Sequence, residues 1–107
     1  AQINPVVSAG HRQKILDHVS KAREDGARIV AGGDRPDLPG YYVRPTIVVD
    51  AGADLAISRQ EVFGPLVTVT PFDSEDEAIR LANDSDMGLA ASLWTNDLKK
   101  TMELTSR

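Results

Sequence analysis

The sequence contains no cysteine. Disulfides, thiolate metal sites and a thiol nucleophile are therefore excluded within these residues. The absence fits a cytoplasmic protein, where structural disulfides are rare. No apolar run approaches the length of a bilayer-spanning helix. Positive charge is also in deficit: 12 basic against 16 acidic residues leave a formal net charge of −4. The acids are scattered rather than clustered. Such a surface is mildly repelled by phosphate backbones and anionic lipids, which disfavours a nucleic-acid or membrane partner. Histidine is limited to His11 and His18. Seven apart on a helix they lie near one face but about 10 Å from each other, too far to share a metal ion without distortion. Both are expected at the surface.

Familiar catalytic signatures are missing as well. Gly32-Gly33 runs into a proline-rich loop instead of opening a helix, so the dinucleotide fingerprint lacks its context. There is no phosphate-binding loop with a lysine, and no serine stands in a recognisable hydrolase motif. Asp84 and Asp86 flank Ser85 after a helix and read as turn formers rather than an acid/base pair.

What is present suits one globular domain with a thin core, since 107 residues are too few for two domains. The chain opens on Ala1 and stops at Arg107 after a helical run, and the expectation is a piece of a larger domain, truncated at both ends. Ser8 to Asp25 predicts an amphipathic helix with Ile15, Leu16, Val19 and Ala22 on one face. Ser8 serves as its cap and Gly26 as its left-handed stop. Arg28 to Ala31 reads as a short strand, and Asp34 to Gly40 as an exposed loop. Tyr41 to Asp50 is β-rich but interrupted by Pro45, which predicts an edge strand or two short ones. Ala51 to Gln60 shows no clean period and is expected to be irregular.

Leu66 to Thr70 reads as a strand. Ser74-Glu75-Asp76-Glu77 is a capping box that opens a helix with Ala78, Ile79, Leu81 and Ala82 as its apolar stripe. Leu89 to Trp94, almost continuously apolar, predicts a strand covered on both faces. Asn96 or Asp97 can cap a last helix, in which Leu98 and Met102 stand one turn apart. Strand, helix, strand in that order predicts a crossover with the strands around Val67 and Ser92 parallel. The expected class is α/β, a mostly parallel sheet with flanking helices.

One segment carries distinctive chemistry. In an extended Glu61-Val62-Phe63-Gly64-Pro65, residues two apart share a side, so the Glu61 carboxylate and the Phe63 ring project together. A carboxylate can accept two hydrogen bonds from a vicinal diol such as a ribose, and a neighbouring ring can pack on a flat heterocycle. Gly64 permits close approach and Pro65 stiffens the exit. The plain alternative is a solvated Glu61, a core Phe63 and a turn before the strand.

Six ordered blocks decide between these readings. They are Asn4-Pro5-Val6-Val7-Ser8, then Asp25 to Gly33, then Gly40-Tyr41-Tyr42-Val43-Arg44-Pro45-Thr46, then Gln60-Glu61-Val62-Phe63-Gly64-Pro65, then Asp76 to Asn83, and finally Gly88 to Thr95. Their order and spacing resemble the aldehyde dehydrogenase superfamily over nearly the whole chain. The resemblance implies an enzyme that oxidises an aldehyde to a carboxylic acid with NAD or NADP. A cysteine thiolate attacks the aldehyde, hydride passes to the nicotinamide, and water activated by a glutamate releases the acid. Neither that cysteine nor that general base belongs to this chain. The resemblance further implies that Glu61 bonds the nicotinamide-ribose hydroxyls, that Phe63 lies beside the nicotinamide, and that Leu89 stands near the same end of the cofactor. It also implies a homo-oligomeric parent.

Two positions depart from the family pattern. Met87 stands where an aromatic residue is common, and Gln60 replaces a frequent acid. The flavour is that of the aminoaldehyde or betaine-aldehyde group. A rival of another class is a free-standing, non-catalytic α/β binding or assembly module.

Overall fold

The computed structural model describes residues 3–107, which fall into two compact units, the first ending at Pro71 and the second spanning Phe72–Arg107. The first holds α1 (Ala9–Glu24), β1 (Arg28–Ala31), β2 (Thr46–Val49), α2 (Ala56–Arg59) and β3 (Leu66–Val69). The second holds α3 (Glu75–Asn83) and α4 (Leu98–Leu104).

Helix α1 begins and ends where its sequence chemistry places the signals. The Ser8 hydroxyl accepts from the His11 amide at 3.0 Å, satisfying one of the free amides of the first turn. At the other end Gly26 takes φ 94°, and the Ala27 amide donates to the Ala22 carbonyl at 2.9 Å. Ile15, Val19 and Ala22 are buried, as the apolar stripe requires, and Leu16 is half-buried. Ala22 joins Ala27, Val48, Ala51 and Ile57 in the core, with Ile29, Leu55, Val62 and Leu66 packed against it. Each large aliphatic side chain fully buried here contributes about 1.5–3 kcal/mol over leaving it in water.

The three strands run in the order β1-β2-β3. β2 pairs antiparallel with β1, with Arg28 opposite Val49 and a bulge between Ile29 and Ala31. It pairs parallel with β3 in a register that sets Thr46 against Leu66 and Val49 against Val69. The α/β class is as expected. The sheet, however, is mixed, and only one of its two pairings is the expected parallel one. The parallel link is β2-α2-β3, so the short helix α2 lies where an irregular stretch was predicted.

β2 is also the central strand, not an edge. Pro45 immediately precedes the first strand residue, so its missing amide falls outside the ladder and disrupts nothing. The Thr46 hydroxyl is buried and fully used: it accepts from the Gly33 amide at 2.9 Å and donates to the Arg44 carbonyl at 2.7 Å. That link pins the turn after β1 to the start of β2.

Alternation along β2 and β3 sends Val48 inward and leaves Ile47, Val67 and Val69 exposed, with Val30 of β1 also exposed. One face of the sheet therefore packs on helices and the other presents bare aliphatic side chains.

In the second unit, Ser74 caps α3 as expected, but the returning bond of the predicted capping box reaches the residue before the cap. The Glu77 amide donates to the Ser74 hydroxyl at 3.2 Å, while the Glu77 carboxylate accepts from the Asp73 amide at 2.9 Å. Asp97 caps α4 by accepting from the Lys100 amide at 3.0 Å. Lys100 also pairs with Glu75, whose hydrogen bond and charge raise the lysine pKa above its ordinary value.

The predicted strand Leu89 to Trp94 does not form. The segment has no regular secondary structure, and both Leu89 and Trp94 are fully exposed. A strand exists only through hydrogen bonds to a neighbour, and among the described residues none pairs with this run. Apolar continuity marks it for burial but cannot supply the partner. The expected parallel pairing with the strand around Val67 is absent for the same reason.

Candidate functional site

The segment before β3 is built on a helix end and two tight turns. α2 stops at Gln60, whose backbone is extended at φ −103° and ψ 143°. Glu61 is exposed, Val62 half-buried and Phe63 75% exposed, an alternation that puts the carboxylate and the ring on the solvent side together. Phe63 is thus not a core residue. The Gly64 amide then donates to the Val62 carbonyl at 2.9 Å, and the Leu66 amide to the Gly64 carbonyl at 2.8 Å. These successive three-residue turns redirect the chain into β3.

Helix α1 supports the segment from beneath. A methyl group added at Gly64 would lie 2.4 Å from Cδ1 of Ile15 and 3.1 Å from its Cγ1. Glycine is there so that the turn can sit directly on a buried isoleucine. One helical turn earlier, His11 Nε2 lies 2.5 Å from the Phe63 carbonyl oxygen. Its ring faces the Phe63 ring at 6.2 Å between centroids, tilted by 31°. Pro5, Val6 and Val7, together with His11, Phe63 and Gly64, line an open cleft of about 570 Å³. The Val6 amide donates to the Tyr41 carbonyl at 2.9 Å, tethering the wall that faces the turn.

Gly64→Ala should destabilise the protein by about 1–3 kcal/mol, the usual cost of forcing a methyl group into a packed site. Ile15 is buried to 1% exposure and has no room to change rotamer freely. Ile15→Val removes the clashing Cδ1, so the double variant should recover much of the loss in a urea titration. Additive losses would show that the clash is not the cause.

His11 is the residue that the sequence placed wrongly. It was expected at the surface with His18, but it is half-buried and bonded to the site. The signal was available: positions 11, 15, 19 and 22 continue one helical stripe, and its last three members are core residues. His18 is half-buried as well, on nearly the same face, in a shallow depression with Lys14, Asp17, Lys21, Ala56 and Gln60. Leu89 belongs to the second unit and is fully exposed.

Among solved structures the chain superposes on the NAD+ complex of an aldehyde dehydrogenase from Bacillus cereus with a TM-score of 0.96. Identity is 38%, and the match covers 99% of this chain and 22% of that one. The architecture is that of a portion of an aldehyde dehydrogenase. The sequence agrees: the model of the aldehyde dehydrogenase family matches residues 1–107, and the chain belongs to that family. It is 42% identical over 106 residues to the chloroplastic betaine aldehyde dehydrogenase of Atriplex hortensis, covering 97% of this chain and 21% of that protein. It is 45% identical over 101 residues to the peroxisomal aminoaldehyde dehydrogenase 1 of Malus domestica, covering 92% of this chain and 20% of that protein. The chain thus spans about a fifth of the length of the relatives it matches. Those relatives carry chloroplastic and peroxisomal names, so family membership does not support the cytoplasmic expectation drawn from composition. Among the described residues no helix is long and apolar enough to cross a membrane.

Proposed function

We propose that this chain is part of the catalytic domain of an NAD- or NADP-dependent aldehyde dehydrogenase, and that it forms one wall of the nicotinamide site. The observation that carries the reading is the paired exposure of Glu61 and Phe63 on a turn that α1 holds in place. The Glu61 carboxylate accepts hydrogen bonds from the two hydroxyls of the nicotinamide ribose. Phe63 packs its ring beside the nicotinamide, where exposure in the isolated chain becomes burial in the complex. When bound, the cofactor serves as hydride acceptor for oxidation of an aldehyde to a carboxylic acid. This chain's share of the work is to bind and orient it.

The likeness to betaine and aminoaldehyde dehydrogenases supports a small polar aldehyde as substrate. The bare aliphatic face formed by Ile47, Val67 and Val69 supports membership of a larger folded body, because surfaces of this kind are normally covered. We assign the parent a homo-oligomeric state on family grounds.

The nucleophile must come from elsewhere in the parent, since the chain has no cysteine. The purified 107-residue chain, mixed with betaine aldehyde or an aminoaldehyde and either NAD or NADP, should therefore produce no reduced nicotinamide. Turnover by the chain alone would overturn this division of labour. A cysteine encoded upstream in the family's usual setting would support it.

A further inference from the structure

We infer that His11 is a positioning residue for the cofactor wall, acting through the backbone of Phe63. The inference rests on the reading of Glu61 and Phe63 as cofactor contacts. A carbonyl oxygen can only accept, so the contact between His11 Nε2 and the Phe63 oxygen requires the proton on Nε2. Nδ1, on the other side of the ring, is buried with no protein partner among the described residues. A side chain kept only to fill space would not bring an unsatisfied nitrogen with it. The Nε2 contact is what the ring achieves here.

Its target is poorly held by other means. The Phe63 side chain is 75% exposed, so packing does little to fix its direction. What orients the ring is the peptide that carries it. That peptide is fastened on one side by the turn from Val62 to Gly64 and on the other by His11, 52 residues away in sequence. Ile15, one turn along the same helix face, sets the height of the turn through its contact with Gly64. Helix α1 therefore acts as a rail: Ile15 fixes how deep the segment sits, and His11 fixes how the Phe63 peptide is rotated. Because Glu61 lies two residues earlier on the same extended stretch, its carboxylate is aimed by the same anchor.

The test uses the full-length enzyme that contains this segment. His11→Leu removes the donor, and His11→Gln keeps an amide N–H at similar reach. The expected result is a cofactor KM raised about tenfold in His11→Leu, with kcat changed far less, and a return to within about twofold in His11→Gln. A packing role alone predicts the reverse ranking, with leucine the better filler. The same substitution on a background carrying both Phe63→Ala and Glu61→Gln should add little, because both groups that the anchor aims are already gone. A full tenfold further effect there would overturn the inference, as would a His11→Leu enzyme with lowered melting temperature but unchanged cofactor KM. Glu61→Gln measured in parallel separates this claim from the one beneath it. Weakened cofactor binding in Glu61→Gln with normal binding in His11→Leu overturns the positioning role alone. Normal binding in both overturns the site reading with it.

Discussion

Glu61→Gln in the full-length enzyme is expected to weaken cofactor binding by about 10- to 100-fold. Hydrogen bonds to a charged group contribute roughly 1.5–3 kcal/mol, and each 1.4 kcal/mol is a factor of ten. Glutamine keeps the length and the branching of the side chain. It loses the negative charge, however, and turns one of two acceptor oxygens into a donor facing a hydroxyl. A vicinal diol needs both acceptors, so the substitution damages the geometry as well as the charge. Stability should not follow, because the Glu61 side chain is exposed and outside the hydrophobic core. The informative result is thus a titration of NAD or NADP that shows weak binding in an enzyme with an unchanged melting temperature. Normal affinity and normal turnover in that variant would remove Glu61 from the site. A fall in both affinity and melting temperature would assign it a structural role instead.

The largest loss of stability is expected from Gly32→Ala, at about 3 kcal/mol or more. Gly32 has φ 65°, a region that costs an alanine roughly 1–2 kcal/mol. Space is the second obstacle. A Cβ there would lie 2.2 Å from the Pro45 carbonyl oxygen, 2.9 Å from its carbon and 2.8 Å from the Thr46 hydroxyl. These are backbone atoms and a buried hydroxyl at the entry to the central strand, so none can swing aside. Relief would require β2 to shift against the turn, breaking the Gly33 and Arg44 bonds of Thr46. Gly26→Ala provides the control. Its φ is 94°, yet no atom lies within 4 Å of the added methyl group, so only the dihedral cost applies. Denaturant titrations of the two variants should rank Gly32→Ala clearly below Gly26→Ala. Equal losses would mean that the close approach to Pro45 carries no weight.

Local signals read from the chain were mostly sound. Ser8, Ser74 and Asp97 cap the helices that follow them, because a cap depends only on a side chain and the amides two or three residues away. Gly26 ends α1 for an equally local reason. Expectations failed where the outcome depended on a distant neighbour. Leu89 to Trp94 has the composition of a buried strand and, among the described residues, no partner to make it one. Tyr41 to Asp50 was expected as an edge strand or two short ones, yet the proline that suggested this stands just outside a four-residue central strand. Ala51 to Gln60 has too short a helical stretch for periodicity to register.

The candidate site divides along the same line. The sequence by itself determined that Glu61 and Phe63 share a side and that Gly64 and Pro65 turn the chain after them, since alternation in an extended stretch is a property of the backbone. It also determined membership of the aldehyde dehydrogenase family, through blocks whose order survives without any knowledge of contacts. Only the tertiary structure decided what holds that turn. Ile15 beneath Gly64 and His11 on the Phe63 carbonyl come from a helix about fifty residues earlier. No local pattern encodes a contact across that separation, because it depends on how α1 settles against the segment leading into β3. The stripe of Ile15, Leu16, Val19 and Ala22 told which face of α1 would be covered. The fold alone told what would cover it.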